Sequence, residues 1–168
     1  MPPLVIMGVS GCGKTTVGED LAKRIDGAEF IDADDLHPAA NVEKMRAGIA
    51  LTDVDRAPWL DAVGRAMRDA TRAGRTPIVA CSALKRAYRT RILAEEPEAL
   101  FVLLDVDRAE LQRRLRERQH HYMPASLLES QLATLEPLSP DEPGVTVPVL
   151  GPGGEVAETV LARVLDAR

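Results

Sequence analysis

The chain has 168 residues, 45% of them hydrophobic and 28% charged, which suits one globular domain with a core of its own. Its net charge is −5, whereas general nucleic-acid-binding proteins carry basic surfaces, so we expect no nucleic-acid partner. Two cysteines without a disulfide pattern, no apolar run near the about 20 residues that cross a bilayer, and no secretory signal pattern together predict a cytoplasmic protein without a membrane partner.

A glycine-rich loop near the N-terminus is the strongest signal. Residues 8–16, GVSGCGKTT, fit the pattern G-x-x-x-x-G-K-[ST] and lie between a short apolar run at 4–7 and apolar residues at helical spacing. Backbone N–H groups and a helix N-terminus favour a phosphate there; Lys14 can reach the β- and γ-phosphates and the Thr15 hydroxyl can ligate Mg²⁺. A chance glycine-rich turn is the alternative. The predicted nucleotide-binding residues of the loop are Gly8, Gly11, Cys12, Gly13, Lys14, Thr15 and Thr16.

Cys12 lies inside this loop, close to Lys14 and to a predicted helix N-terminus. Such surroundings can lower the pKa of a thiol. Two interpretations therefore stay open: a small residue that fits the loop, or a redox-sensitive thiol.

A second strand is predicted over residues 29–34, after a turn at Gly27, and it ends in Asp32 and Asp34. Ligands of open α/β sheets bind outside the carboxyl ends of the strands, so both carboxylates should face the phosphate loop. Strand alternation would place them on one side. One carboxylate could hold a water of Mg²⁺ and the other could accept a hydroxyl proton. A polar turn that includes Asp35 is the alternative.

Residues 37–58 are polar and irregular, apart from a short helix from Pro38 to about Ala47, and are interpreted as an inserted substrate-binding segment. An amphipathic helix is predicted from Trp59 to about Ala73.

A third buried strand is predicted over residues 77–83, and Ser82 lies at its exit. Lys85 and Arg89 follow, four residues apart on the next helix, so they should share a face that could hold a carboxylate. A solvated basic face is the alternative.

A fourth strand over residues 100–106 precedes a helix with Arg114 and Arg118 one turn apart. These arginines could cover a nucleotide, one stacking on the base and the other contacting phosphate. A solvent-facing basic helix is the alternative. His120 and His121 follow without a third ligand, so no metal site is expected there.

The last third of the chain predicts a helix over residues 126–135, a fifth strand over 145–150 and a closing helix. Pro148 places the fifth strand at an edge or ends it early. Five strands that alternate with helices predict an α/β fold in three layers around a five-stranded parallel sheet.

Several stretches resemble the gluconokinases, a family of P-loop small-molecule kinases that shares its plan with shikimate and adenylate kinases. The resemblance covers nearly the whole chain and departs from the family in having Cys12 where serine is more usual and His-His at 120–121 where a glycine often precedes the histidine. Its segments are residues 8–16, IDADDLHPAANVEKMRAG at 31–48, LTDVDRAPWL at 51–60, CSALKRAYR at 81–89, and the run from Arg114 through HHYMPASLLESQLATLEPL.

This resemblance implies a P-loop NTPase fold formed by residues 1–168 as one kinase domain, with a substrate-binding insertion at about 37–58 and a lid at about 114–126. It implies ATP-dependent phosphorylation of the terminal hydroxyl of D-gluconate, with ATP and Mg²⁺ as cofactors. Thr15 and Asp32 would hold the metal. Lys14, Asp34 and Arg118 would be catalytic, and Arg114 and Arg118 would contact the nucleotide. The candidates for binding the sugar acid are Asp34, His37, Lys44, Arg56, Lys85 and Arg89.

Two other functions stay open at this point. Another small-molecule kinase, such as a shikimate kinase, would use the same plan with a different acceptor. A nucleotide-binding switch domain would bind the nucleotide without phosphorylating an acceptor. The oligomeric state is also open, with a homodimer as one option.

Overall fold

A five-stranded parallel sheet carries the fold in the computed structural model, which describes residues 1–118 and 125–167. The strand order β2–β3–β1–β4–β5 puts β1 in the centre and β5 at an edge, as Pro148 predicts. The α/β prediction with five parallel strands is therefore confirmed. The strands are β1 (Leu4–Met7), β2 (Ala28–Asp32), β3 (Thr76–Ala80), β4 (Leu100–Asp105) and β5 (Gly144–Pro148).

Helices cover both faces of the sheet and give three layers. Side chains of β1 alternate between the two cores: Leu4 and Ile6 pack with α1 and α7, whereas Val5 and Met7 pack with α3 and α4. Each helix in the described ranges is too short or too polar to cross a membrane. The helices are α1 (Lys14–Arg24), α2 (Ala39–Arg46), α3 (Asp53–Arg72), α4 (Arg86–Glu95), α5 (Arg108–Glu117), α6 (Ala125–Thr134) and α7 (Gly153–Asp166).

The helix α3 begins at Asp53, earlier than the predicted start at Trp59. A capping box sets this start: the Thr52 hydroxyl accepts the backbone N–H of Asp55 at 3.1 Å, and the Asp55 carboxylate accepts the backbone N–H of Thr52 at 2.9 Å. The apolar periodicity that predicted the helix starts only at Trp59, so it missed the polar first turns.

A buried ion pair joins α4 to the turn that precedes β5. The side chains of Arg89 and Glu142 are 1% and 4% exposed. Arg89 Nε and Nη2 donate to the Glu142 carboxylate at 2.6 and 3.0 Å, and Nη1 donates to the carbonyl oxygens of Ala83 and Leu84 at 3.0 and 3.3 Å. All three nitrogens of this guanidinium are thus hydrogen-bonded within the fold.

The prediction that Lys85 and Arg89 share a helix face that could hold the substrate carboxylate is therefore wrong. The helix α4 begins only at Arg86, so Lys85 precedes it with an extended backbone, while Arg89 points into the core. We consequently remove Arg89 from the candidates for substrate binding. Its contacts hold Ala83, whose φ of +44° is the only positive φ of a non-glycine residue in the described ranges.

We expect Glu142→Gln to lower the free energy of unfolding by about 3 kcal/mol at pH 7, because it leaves the Arg89 charge buried without its partner. The neighbouring pair of Arg86 with Asp141 is exposed and provides a matched control, in which Asp141→Asn should change stability little. Chemical denaturation of the three proteins measures this. Equal effects of the two variants would contradict the assignment.

The same pair should make stability depend on pH. Arg89 holds the pKa of Glu142 below its ordinary value of 4.5, so the stabilisation is complete above that value and is lost as the pH falls through the lowered pKa. The stability difference between the parent and Glu142→Gln should therefore shrink below pH 4.5.

Candidate active site

The phosphate loop joins β1 to α1, and its glycines have positive φ angles. These angles are +144° at Gly8, +84° at Gly11 and +99° at Gly13, values that side chains disfavour. The N-cap of α1 is Gly13, which has no side chain to occupy the first N–H groups of the helix. Lys14 Nζ folds back over the loop and donates to the carbonyl oxygens of Gly8 and Val9 at 3.0 and 3.1 Å. This arrangement fits a phosphate chain.

Cys12 is packed beneath this loop and is 1% exposed. Its Sγ lies so close to Gly8 that a Cβ there would come within 2.8 Å of it. Burial raises the pKa of the Cys12 thiol even though Lys14 lies nearby, so the lowering that its position in the loop could have caused does not occur. These surroundings favour the interpretation of Cys12 as a small residue that fits the loop.

Asp32 and Asp34 lie together because of a turn. Strand β2 ends at Asp32, and Ala33–Leu36 forms a 3₁₀ turn in which Asp32 Oδ1 accepts the backbone N–H of Asp34 at 3.0 Å. Strand alternation was predicted to cause this proximity, but the strand ends at Asp32 and does not include Asp34. Desolvation raises the pKa of Asp34, and the negative charge of Asp32 raises it further. A carboxylate with a raised pKa accepts a proton more readily.

A small cavity, here called the phosphoryl cavity, gathers the predicted catalytic and metal-binding groups of the loop and of β2. Its volume is about 150 Å³. It is the point where the phosphate loop, the carboxylates and the exit of β3 meet. It is lined by Ser10, Lys14, Thr15, Asp32, Asp34, Ala80, Cys81, Ser82 and Gln131.

The phosphoryl cavity contains side chains that could bind Mg²⁺. Within residues 1–118 and 125–167, no group of three or more His, Cys, Asp or Glu side chains could hold a metal alone. Mg²⁺ keeps several waters and takes one or two protein ligands beside substrate phosphates. Thr15 and Asp32 line the same cavity as Lys14 and supply a hydroxyl and a carboxylate, so they fit this ion.

Two arginines border the opposite side of the phosphate loop. Arg114 Nη1 donates to the carbonyl oxygen of Gly11 at 3.0 Å, and its Nε donates to Glu110 at 3.0 Å. Together with Arg118 it lines a cavity of about 220 Å³ beside Thr16. The segment 119–124, which contains His120, His121 and the middle of the predicted lid, lies outside the described residues.

A larger cavity of about 990 Å³, here called the acceptor cavity, opens between the α2–α3 connection, α4 and α6. Its walls contain both apolar and hydrogen-bonding side chains. Ser82 and Gln131 line both this cavity and the phosphoryl cavity. Its lining residues are Met45, Gly48, Ile49, Ala50, Leu51, Arg56, Trp59, Ser82, Leu84, Tyr88, Ser126, Leu127, Ser130, Gln131 and Thr134.

Among the candidate cations, Arg56 lines the acceptor cavity. Its Nη1 donates to the Leu51 carbonyl oxygen at 2.8 Å, and its guanidinium carbon lies 5.6 Å from the centre of the Tyr88 ring. Lys85 Nζ lies 5.5 Å from the centre of the same ring and donates to Asp53 at 3.2 Å. The Tyr88 hydroxyl also donates to Asp53. Both cations thus flank Tyr88 at the edge of the cavity.

Lys44 has a different environment. Its Nζ donates to both carboxylate oxygens of Asp55 at 2.9 Å, and this contact, with the backbone N–H of Thr52, lowers the pKa of Asp55 to about 2. Lys44 is not among the residues that line the acceptor cavity. Lys44 instead stabilises the capping box of α3 through its contact with Asp55.

His37 stacks on Trp59 with 4.1 Å between ring centres and 15° between planes. Asn41 Nδ2 donates to the carbonyl oxygen of Asp55 at 2.9 Å, which fixes the amide orientation, and lies 3.3 Å from His37 Nδ1. An amide nitrogen is only a donor, so Nδ1 must accept, and the neutral ring carries its proton on Nε2. Desolvation lowers the pKa of His37 and favours this neutral form.

Tyr88 and the polar side chains of α6 are site residues that the sequence reasoning missed. Ser126, Ser130 and Thr134 follow one another at intervals of four, so they share one face of a helix, and Gln131 adjoins that face. That spacing is visible in the sequence and could have indicated a polar helix face toward the site.

Comparisons with known proteins show the family of the chain. A model of the AAA domain family matches residues 4–138. The gluconokinase of Gluconobacter oxydans (strain 621H) is 51% identical over 144 residues, covering 86% of this chain and 80% of that protein. The probable gluconokinase of Xenopus tropicalis is 46% identical over 161 residues, covering 87% and 84%. The crystal structure of a gluconokinase from Sinorhizobium meliloti 1021 has a TM-score of 0.86 and 41% identity, covering 98% of this chain and 92% of that one. The chain therefore belongs to the gluconokinase family.

Proposed function

We propose that the protein transfers the γ-phosphoryl group of ATP to the terminal hydroxyl of D-gluconate, giving 6-phospho-D-gluconate and ADP. The observation that carries this proposal is the contact between a phosphate loop and a large cavity lined by both apolar and hydrogen-bonding side chains. Ser82 and Gln131 line both the phosphoryl cavity and the acceptor cavity, so the two adjoin. Phosphoryl transfer depends mainly on such positioning and on charge neutralisation.

The phosphate end of the site neutralises charge. The N–H groups of the loop and of the first turn of α1 bind phosphate oxygens, and Lys14 turns from the loop carbonyls toward the β- and γ-phosphates. Thr15 and Asp32 would hold Mg²⁺, which would supply positive charge against the phosphate oxygens. We assign Arg114 to the nucleotide and Arg118 to the transferred group, because both line the cavity beside the loop.

The acceptor end orients the sugar acid. Asp34 lies in the phosphoryl cavity and takes the proton of the attacking hydroxyl, a role that its raised pKa suits. Arg56 pairs with the substrate carboxylate, because it is the candidate cation that lines the acceptor cavity. Lys85 lies beside the same Tyr88 ring and supports it. His37 supports this end of the site through its stacking on Trp59, which lines the cavity.

Two segments move in this proposal. Residues 37–58 form the substrate-binding insertion, since the acceptor cavity is lined by Met45, residues 48–51 and Arg56 of this segment. The lid proposed for residues 114–126, of which 119–124 lie outside the described residues, would exclude water from the reaction. A switch domain without an acceptor would need neither Asp34 at the phosphate loop nor a cavity of this size beside it.

We expect Asp34→Asn to lower kcat by about 10²–10⁴, because the attacking hydroxyl loses its proton acceptor. The affinity for ATP should change little. Asp32→Asn should instead raise the Mg²⁺ concentration needed for the half-maximal rate, and Asp35→Asn, in the same turn but outside the cavity lining, is the matched control. Steady-state kinetics over a Mg²⁺ series would refute the division of roles if the Asp34 and Asp32 variants behaved alike.

Acceptor choice is the direct test of the proposed function. A neutral sugar such as glucose offers Arg56 no carboxylate beyond Asp53, which lies 3.7 Å away; the lost pairing costs about 2–5 kcal/mol and corresponds to at least ~30-fold in kcat/KM. Arg56→Gln should therefore lose more activity on gluconate than on glucose, whereas Arg46→Gln, an exposed loss of the same charge, should not. Coupled ADP-release assays with gluconate, glucose and shikimate measure this. Equal efficiency on shikimate would indicate another small-molecule kinase.

Substrate should also change the fluorescence of Trp59, the single tryptophan of the chain. Trp59 lines the acceptor cavity, stacks on His37 and donates its Nε1–H to the Ala33 carbonyl oxygen at 2.7 Å. Movement of the insertion would alter these contacts. We expect gluconate to shift the emission of the parent, and a spectrum unchanged at saturating gluconate and nucleotide would contradict closure of this segment.

A further inference from the structure

Gln131 on α6 contacts the phosphate loop from a distant part of the chain. Its Oε1 accepts the backbone N–H of Ser10 at 2.6 Å. Because a backbone nitrogen is only a donor, the atom that faces it must be the amide oxygen, and this fixes the orientation of the whole amide group. The other end, Nε2, then carries two N–H donors and can meet only an acceptor.

The position of Gln131 limits what that acceptor can be. Gln131 lines the phosphoryl cavity, where Lys14 and Thr15 also lie, and it lines the acceptor cavity as well. In the proposed function the two carboxylates of the phosphoryl cavity serve the metal (Asp32) and the attacking hydroxyl (Asp34), so the acceptor left for Nε2 is a group of the substrates. An ionised phosphoryl group presents oxygen acceptors only, whereas a sugar hydroxyl both donates and accepts. The geometry between the cavities therefore suits a phosphoryl oxygen.

We propose that Gln131 is a catalytic residue whose Nε2–H donates to an oxygen of the γ-phosphoryl group, so that the amide joins α6, the phosphate loop and the transferred group. This inference rests on the proposed function. It gives the site a means of distinguishing ATP from ADP, because ADP has no oxygen at that point. The contact through Ser10 holds the amide in place before the nucleotide arrives, which lowers the entropic cost of the new hydrogen bond.

Gln131→Glu separates the two ends of the side chain. A carboxylate of the same shape still accepts the Ser10 N–H, but it offers no donor and places a negative charge against the γ-phosphate. We expect the Kd of a non-hydrolysable ATP analogue with Mg²⁺ to rise at least ~10-fold, while the Kd of ADP changes less than about twofold, since a charge-assisted hydrogen bond is lost only for the analogue. Titration calorimetry without gluconate measures both constants. Gln112→Glu on the exposed side of α5 is the matched control and should change neither.

Gln131→Met is a second variant that keeps the length of the side chain and removes both hydrogen-bonding ends. The preference for the ATP analogue over ADP, measured as the Kd of ADP divided by the Kd of the analogue, should therefore fall in both variants. A ratio equal to that of the parent, with both nucleotides weakened together, would show that Gln131 only supports the loop through Ser10 and would overturn the inference. So would unchanged binding of both nucleotides. Failure of the parent to phosphorylate gluconate, with the ratio still lost in the variants, would instead refute the proposed function alone.

Discussion

The parallel pairing of β1 with β3 and β4 is the constraint on which the site depends. One row of the sheet contains Ile6, its partners Ala80 and Val102, and Asp32 beside Ala80. All strands leave this row in the same direction, so the phosphate loop, the Asp32 turn and the exit of β3 emerge at one edge. The buried apolar side chains of β1 on both faces hold the register. If β1 slipped by one residue against its neighbours, the carboxylates would move away from the loop, and the β1 side chains would exchange between the two cores.

Beyond that row the backbone leaves regular structure, and side chains have to hold it. Ser82 borders both cavities, and the residue after it has the unusual φ of +44°. The guanidinium of Arg89 accounts for this, because it hydrogen-bonds the carbonyl oxygens of Ala83 and Leu84 and is itself fixed by Glu142. A charge that is distant from the substrate thereby shapes the wall of the site. A buried ion pair of this kind gains its value from the conformation it specifies, since desolvation offsets much of its attraction.

Local signals in the sequence predicted the parts of this site that local rules determine. The glycine pattern predicted the loop, and the apolar runs predicted the strands. The predicted end of the second strand indicated Asp32 and Asp34 as site residues. The direction of Arg89 depends on Glu142, far along the chain, and a spacing rule within one helix cannot contain that information. Gln131 is similar, since its partner Ser10 lies in another element. The pKa of Cys12 depended on burial, which opposed the neighbouring charge that the sequence shows.

The edge strand β5 has a consequence for self-association. In a parallel strand the N–H and C=O groups of successive residues point to alternate sides. Val149 donates to Asp105 and Pro143 accepts from Phe101, so odd-numbered positions face β4 and even-numbered positions face the open edge. Pro148 occupies one of those outward positions and has no N–H to offer. A strand from another molecule that added here would lack a donor at the end of β5, which guards the protein against growth of the sheet into aggregates.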